Sequence, residues 1–250
     1  MFHKQLAVKT IVILASFFIV LPLAMPSSAI AAPAWQASVT ADQVVLVTAR
    51  SITSTSGLLR TFARQGPRWL LIQEPVSVFL GRSGLVPAQS RQQSTGTTPM
   101  GRFRLISAFG RSPNPGTIMP YTRVDASDAW TYNPKIPSTY NLFQSVDRSW
   151  KSYGNYVEHL SALGPQYDYV AVTDFNQPPG VVTTGPDGVN RTSSAANTER
   201  GGGIFLHVSK GIPTAGCVSM NKGVMHSLLR WLQPQAHPVV IIGLEKALMK

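Results

Sequence analysis

The chain has 250 residues, 22 Lys+Arg against 11 Asp+Glu, a formal net charge of +11 and one cysteine. A single cysteine excludes any intramolecular disulfide, so stability must come from a hydrophobic core, and five scattered histidines offer no cluster with metal-ligand spacing. The basic excess favours polyanions, but no basic helix or aromatic-basic interleaving points to nucleic acid.

The N-terminus reads Met1-Phe2-His3-Lys4, carries Lys9, runs apolar from Ile11 to Met25 and reaches Ser27-Ser28-Ala29-Ile30-Ala31. That is the layout of a secretory signal peptide over residues 1–31, with cleavage after Ala31. Its apolar core is about fifteen residues long and holds Pro22, short of the roughly 20 needed to span a bilayer. A retained signal anchor is the alternative. The mature protein is expected to be secreted or extracytoplasmic, in the cell wall or periplasm. Losing Lys4 and Lys9 with the leader turns +11 into +9 and leaves about 219 residues, enough for one domain.

From Arg50 to Arg123 there are ten arginines, no lysine and one acid, Glu74. Such a face would meet anionic wall polymers or lipid headgroups; the plainer reading is a solvated face that keeps the protein soluble. Nothing in the sequence calls for an oligomer, and a monomer is favoured.

Short β-branched or apolar runs predict strands at Gln43–Thr48, around Phe103–Ile106, at Tyr169–Asp174, at Ile204–His207 and at Val239–Ile242. Segments 57–64 and 68–73 flank Gln65-Gly66-Pro67 and read as a hairpin. The prolines of Arg111–Tyr121 mark a surface loop. Tyr156, Val157, Leu160 and Leu163 have helical spacing and predict a helix over 149–163. Asn221 can cap a second helix through Val224, Met225, Leu228, Leu229 and Leu232, which Pro234 ends. The Pro/Gly/Ser/Thr-rich stretch 176–203 is expected to form a mobile wall or lid, since loops that long are usually functional or disordered. The sum is a mainly β domain with about two helices.

The cysteine lies in Phe205-Leu-His-Val-Ser-Lys-Gly-Ile-Pro-Thr-Ala-Gly-Cys-Val-Ser-Met220. Cys217 is buried and inert, paired between chains, or reactive. A reactive thiol needs a nearby imidazole. His3 leaves with the leader, His159 and His226 fall on the two expected helices and His237 sits beside Pro238. His207 sits at a strand end, and the small residues of 211–216 return the chain to Cys217. The Gly216 and Cys217 amides are candidate oxyanion donors, and the carbonyl of Val208 or Ser209 could orient the imidazole. No Gly-x-Ser-x-Gly is present, and nothing singles out a glycosidase carboxylate pair.

The segment Gly201–Met220, followed by an amphipathic helix, resembles the active-site segment of YkuD-type L,D-transpeptidases, in a divergent subgroup reading His, a short loop and Pro-Thr-x-Gly-Cys-Val. Ser94–Leu105 resembles the Thr-Pro-x-Gly-x-Phe signature that precedes the site, and 109–121 and 169–179 look like the same subgroup. The resemblance runs from Gln43 to Leu244. It implies a mainly β catalytic domain in which Cys217 is acylated by a peptidoglycan stem tetrapeptide, with release of D-alanine, and passes it to an amine as a 3→3 cross-link. His207 would be the general base, oriented by the Val208 carbonyl, with Gly216 and Cys217 at the oxyanion. Thr214, Ser209, Lys210 and Asn176 are the candidate substrate contacts. No metal or organic cofactor is implied. Ala215 stands where the commoner form has histidine, and Ser219 where it often has arginine. A hydrolase using the same pair and a non-catalytic wall-binding module are the alternatives.

Overall fold

A computed structural model describes Met1, residues 32–37 and residues 39–250; the expected leader, beyond Met1, lies outside the described residues. In chain order the strands are β1 (Gln43–Ala49), β2 (Ser56–Gln65), β3 (Arg68–Phe79), β4 (Leu85–Pro87), β5 (Thr98–Gly110), β6 (Tyr121–Arg123), β7 (Asp128–Thr131), β8 (Leu142–Ser145), β9 (Val157–His159) and β10 (Val170–Thr173). They continue with β11 (Val182–Thr184), β12 (Asn190–Thr192), β13 (Phe205–Val208), β14 (Val218–Met220) and β15 (Val239–Leu244); helix α1 (Lys222–Trp231) precedes β15 and the short α2 (Glu245–Leu248) follows it. The fold is mainly β with two α-helices among the described residues, as expected.

The strands pair in the order β10-β13-β14-β3-β2-β1-β15-β5-β4, and β5 also pairs with β10. The second pairing closes the sheet on itself, so the strands of the ring present no open edge to another chain. Gly66 turns the β2–β3 hairpin at φ +59°, where a side chain would be strained. Alternation then sorts the residues. Leu206, Val208, Val218 and Met220 point to the main core with Val45, Val47, Leu59 and Leu105. Phe205 and Cys217 fall on the opposite face, in a second cluster with Phe109, Trp130 and Tyr167, as period-two geometry requires.

Helix α1 forms where the apolar spacing predicts it. Asn221 caps it by accepting the Gly223 N–H at 2.8 Å, and Met225, Leu228 and Leu229 are buried in the main core. Each such side chain contributes roughly 1.5–3 kcal/mol by leaving water.

The helix expected over 149–163 does not form. Its first part is a 3-10 turn at Lys151–Tyr153 that ends at Gly154, φ +57°. Its second part is β9, which pairs antiparallel with β7 through Thr131↔Val157, Trp130↔Glu158 and Ala129↔His159. Gly154 costs about 1 kcal/mol in a helix interior. Trp150 and Tyr153 instead pack on Ala129 and Val189, while Leu160 joins Phe205 and Trp130, so packing from distant strands outweighs a local period. The second α-helix is α2, which the periodicity did not indicate.

The three-stranded sheet β8-β7-β9 is separate from the barrel. It covers the Phe205 face: Trp130 meets Phe205 edge-on at 4.8 Å, and Tyr167 meets it at 6.1 Å. The stretch 176–203 is folded rather than featureless. It holds the β11–β12 hairpin and an Asp187–Arg191 ion pair at 2.7 Å. Among the described residues no helix is long and apolar enough to cross a membrane.

Candidate active site

Strands β13 and β14 run parallel, with Leu206 opposite Val218 and His207 opposite Ser219. The sequence suggests two strand ends meeting; parallel pairing instead sets Cys217 level with Phe205. At about 3.3 Å per residue the Cys217 backbone is set about 7 Å along the strand from that of His207, with both side chains on the same face. The two side chains line one pocket of about 490 Å³, together with Arg91, Tyr132, Glu158 and Tyr167.

Cys217 Sγ accepts from the Phe205 N–H at 3.4 Å and donates to the Gly203 carbonyl at 3.3 Å. Burial pushes its pKa up to about 12; the Phe205 N–H works against this, a nearby Glu158 adds to it and Arg91 opposes it. His207 Nδ1 sits 2.8 Å from the Val208 carbonyl. A carbonyl only accepts, so Nδ1 carries the proton and Nε2 is the basic nitrogen. Burial lowers the His207 pKa to about 4, against the Val208 bond, and Lys210 lowers it further. The site therefore rests as a neutral thiol and a neutral imidazole.

The loop before Cys217 is fixed by Thr214. Its N–H donates to the Leu80 carbonyl and its own carbonyl accepts from Arg82, each at 2.8 Å. Its hydroxyl donates to the Cys217 carbonyl at 2.6 Å and accepts from the Gly216 N–H at 3.0 Å. That last bond engages the Gly216 amide, one of the two expected oxyanion donors, inside the loop. Gly216 is required for another reason. At φ +140° a Cβ would lie 2.8 Å from the Thr97 carbonyl and 3.0 Å from Arg91 Nη2. Thr97 adjoins Thr98-Pro99, so the Thr-Pro-x-Gly segment packs directly beneath the Cys217 loop.

Of the other expected contacts, Lys210 lines the pocket and is exposed, and Thr214 lines it with its hydroxyl already bonded. Asn176 and Ser209 lie outside the pocket lining. Asn176 Nδ2 donates to the Asn197 carbonyl at 2.8 Å and the Gly201 carbonyl at 2.7 Å, bracing the 176–203 wall. Ser209 Oγ accepts from Gly211 within its own turn. Both side chains are thus engaged in loop contacts. The wall reaches the site through Gly201, Gly202 and Gly203.

Several site residues carry no local signal. Glu158 comes from β9, where its carboxylate accepts from the Tyr167 hydroxyl at 2.6 Å and is shifted upward by burial. Tyr167 in turn meets the His207 ring edge-on at 5.7 Å. Asn141 Oδ1 accepts from Trp130 Nε1 and from the Gly203 N–H, while its Nδ2 donates to the Phe175 and Asn176 carbonyls. It thereby holds Gly203, the thiol's acceptor. His226 packs on Tyr169 at 5.4 Å, away from the pocket lining, and His159 lies in β9. Among the described residues no group of three His, Cys, Asp or Glu could hold a metal ion.

The barrel presents a buried cysteine and a backbone-oriented histidine to one pocket. The family model of the L,D-transpeptidase catalytic domain, YkuD, matches residues 52–241, more than half of the chain. The chain belongs to that family, whose members act on peptidoglycan stem peptides. No curated protein and no solved structure matches it.

Proposed function

We propose that the protein is an exported L,D-transpeptidase that forms 3→3 cross-links through a Cys217 acyl-enzyme. The observation that carries this reading is the shared pocket of Cys217 and His207, in which the imidazole tautomer leaves Nε2 basic. Substrate entering over Gly216 displaces the thiol from the Gly203 carbonyl toward His207. His207 Nε2 takes the S–H proton, sulfur attacks the carbonyl carbon of the third stem residue, and the oxyanion meets the Cys217 N–H. The C–N bond breaks, the departing D-alanine amine takes the proton from His207, and a thioester remains. The acceptor amine then attacks; its proton passes to His207 and returns to sulfur as the C–S bond breaks.

Attraction between the imidazolium and the thiolate at short range offsets part of the cost of charging two buried groups. Lys210 at the rim and exposed arginines of the 50–123 segment would hold anionic wall polymers. Four of that segment's arginines, Arg60, Arg64, Arg104 and Arg111, pair with Glu245, Asp42, Asp174 and Asp168, which lowers their share of the attraction. Export follows from the leader, with the mature protein acting at the wall as a monomer.

The test is incubation with disaccharide-tetrapeptide and mass spectrometry of the products. Cross-linked dimer is the expected result; tripeptide alone means a hydrolase, and no change means a wall-binding module.

A further inference from the structure

Arg91 is a buried arginine with no carboxylate within 4 Å among the described residues. Buried cations are normally paired, because an uncompensated charge is costly to desolvate. Its Nε donates to the Thr97 carbonyl at 3.0 Å, its Nη1 donates to the Arg200 carbonyl, and the guanidinium lies over the Phe175 ring at 5.6 Å. These contacts fix the plane of the group and leave Nη2 without an acceptor among the described residues. Nη2 lies beside Gly216, 3.0 Å from where a Cβ would stand, and Arg91 lines the pocket that holds Cys217. The other pocket cations, Arg82 and Lys210, are exposed, and solvent weakens what an exposed cation does.

We propose that Arg91 is a specificity-determining residue that takes, through Nη2, the terminal carboxylate of a peptide ending one residue beyond the attacked carbonyl. The covalent geometry fits. A carboxylate carbon one residue on lies within about 4 Å of the scissile carbonyl carbon, so its binding cation must sit next to the nucleophile, where Arg91 is. A planar guanidinium is the group suited to that task. The carboxylate also supplies the missing counter-charge, so the site is fully compensated only when occupied. Peptides lacking a charge at that position, by extension or amidation, leave Arg91 buried and unpaired. The inference rests on the acyl-transfer reading above.

The experiment compares kcat/KM for a stem tetrapeptide acid and its C-terminal carboxamide, with release of D-alanine or D-alaninamide read by mass spectrometry. The wild-type protein is expected to prefer the acid roughly 10- to 100-fold, the range for losing a hydrogen bond to a charged group. In Arg91→Gln the acid/amide ratio falls toward one, and Arg91→Lys retains an intermediate preference. The ratio is internal to each protein, so partial misfolding does not move it, and the wild-type ratio needs no variant. Wild type cleaving both peptides equally, or Arg91→Gln keeping the wild-type ratio, overturns the role of Arg91 and leaves the functional reading standing. Wild type cleaving neither overturns both.

Discussion

The neutral resting pair makes a quantitative statement about Cys217 toward a small alkylating agent. With its pKa pushed from an ordinary 9 up to about 12, the thiolate fraction at pH 7 is roughly one in 100,000, against about 1% for a thiol of pKa 9. The deficit is about 1,000-fold. The more basic thiolate is intrinsically more nucleophilic, by about 25-fold over three pH units with a Brønsted coefficient near 0.45. Alkylation by iodoacetamide is therefore expected to run about 40-fold slower than for a model thiol at pH 7. The second-order rate, followed by intact-protein mass between pH 5 and 10, is expected to rise tenfold per pH unit without a plateau. A rate that is flat between pH 5 and 8, the signature of a preformed thiolate–imidazolium pair, would refute the reasoning from burial and from the bonds to Gly203 and Phe205.

The depressed pKa of His207, about 4, links pH to stability: between about pH 6.5 and 4 the unfolded chain binds a proton that the folded chain does not. Stability is lost as pH falls through that window, by up to about 3 kcal/mol, and His207→Asn is expected to show a smaller drop in urea midpoint between pH 7 and 4; equal drops would contradict it. Gly216→Ala forces a Cβ against the Thr97 carbonyl at positive φ, so a cost of about 1–3 kcal/mol and loss of turnover are expected, and wild-type turnover would count against the packed loop. His207→Ala is expected to lose most activity while His226→Ala, whose ring packs on Tyr169, keeps it; equal losses would mean that the base is assigned wrongly.

Much of the barrel was legible because strand signals are local. The run Gln43–Thr48, the Gly66 hairpin and the Asn221 cap each rest on a few neighbouring residues, and the chain folds there as they indicate. The expected helix over 149–163 failed because its period was satisfied by contacts with β7 and Val189 that no local pattern contains. The candidate site divides the same way. Cys217, His207 and the Val208 carbonyl lie within a dozen residues, while the parallel β13–β14 register is what puts both side chains on one face. The engagement of the Gly216 amide depends on a threonine hydroxyl two residues away, which spacing does not reveal. Arg91 and Glu158 reach the pocket from separate segments and Asn141 braces Gly203 from a third, and within the sequence Arg91 is one more arginine in a basic stretch. Ser209 adjoins the site in sequence and Asn176 opens the wall that leads into it, and both side chains hold loops.

The most direct test is the intact mass of the protein after brief mixing with stem tetrapeptide and acid quench. The account predicts an adduct of the tripeptide acyl group, mapped to Cys217 and absent from Cys217→Ala. Full turnover with no adduct in the wild type, or turnover surviving in Cys217→Ala, would contradict it.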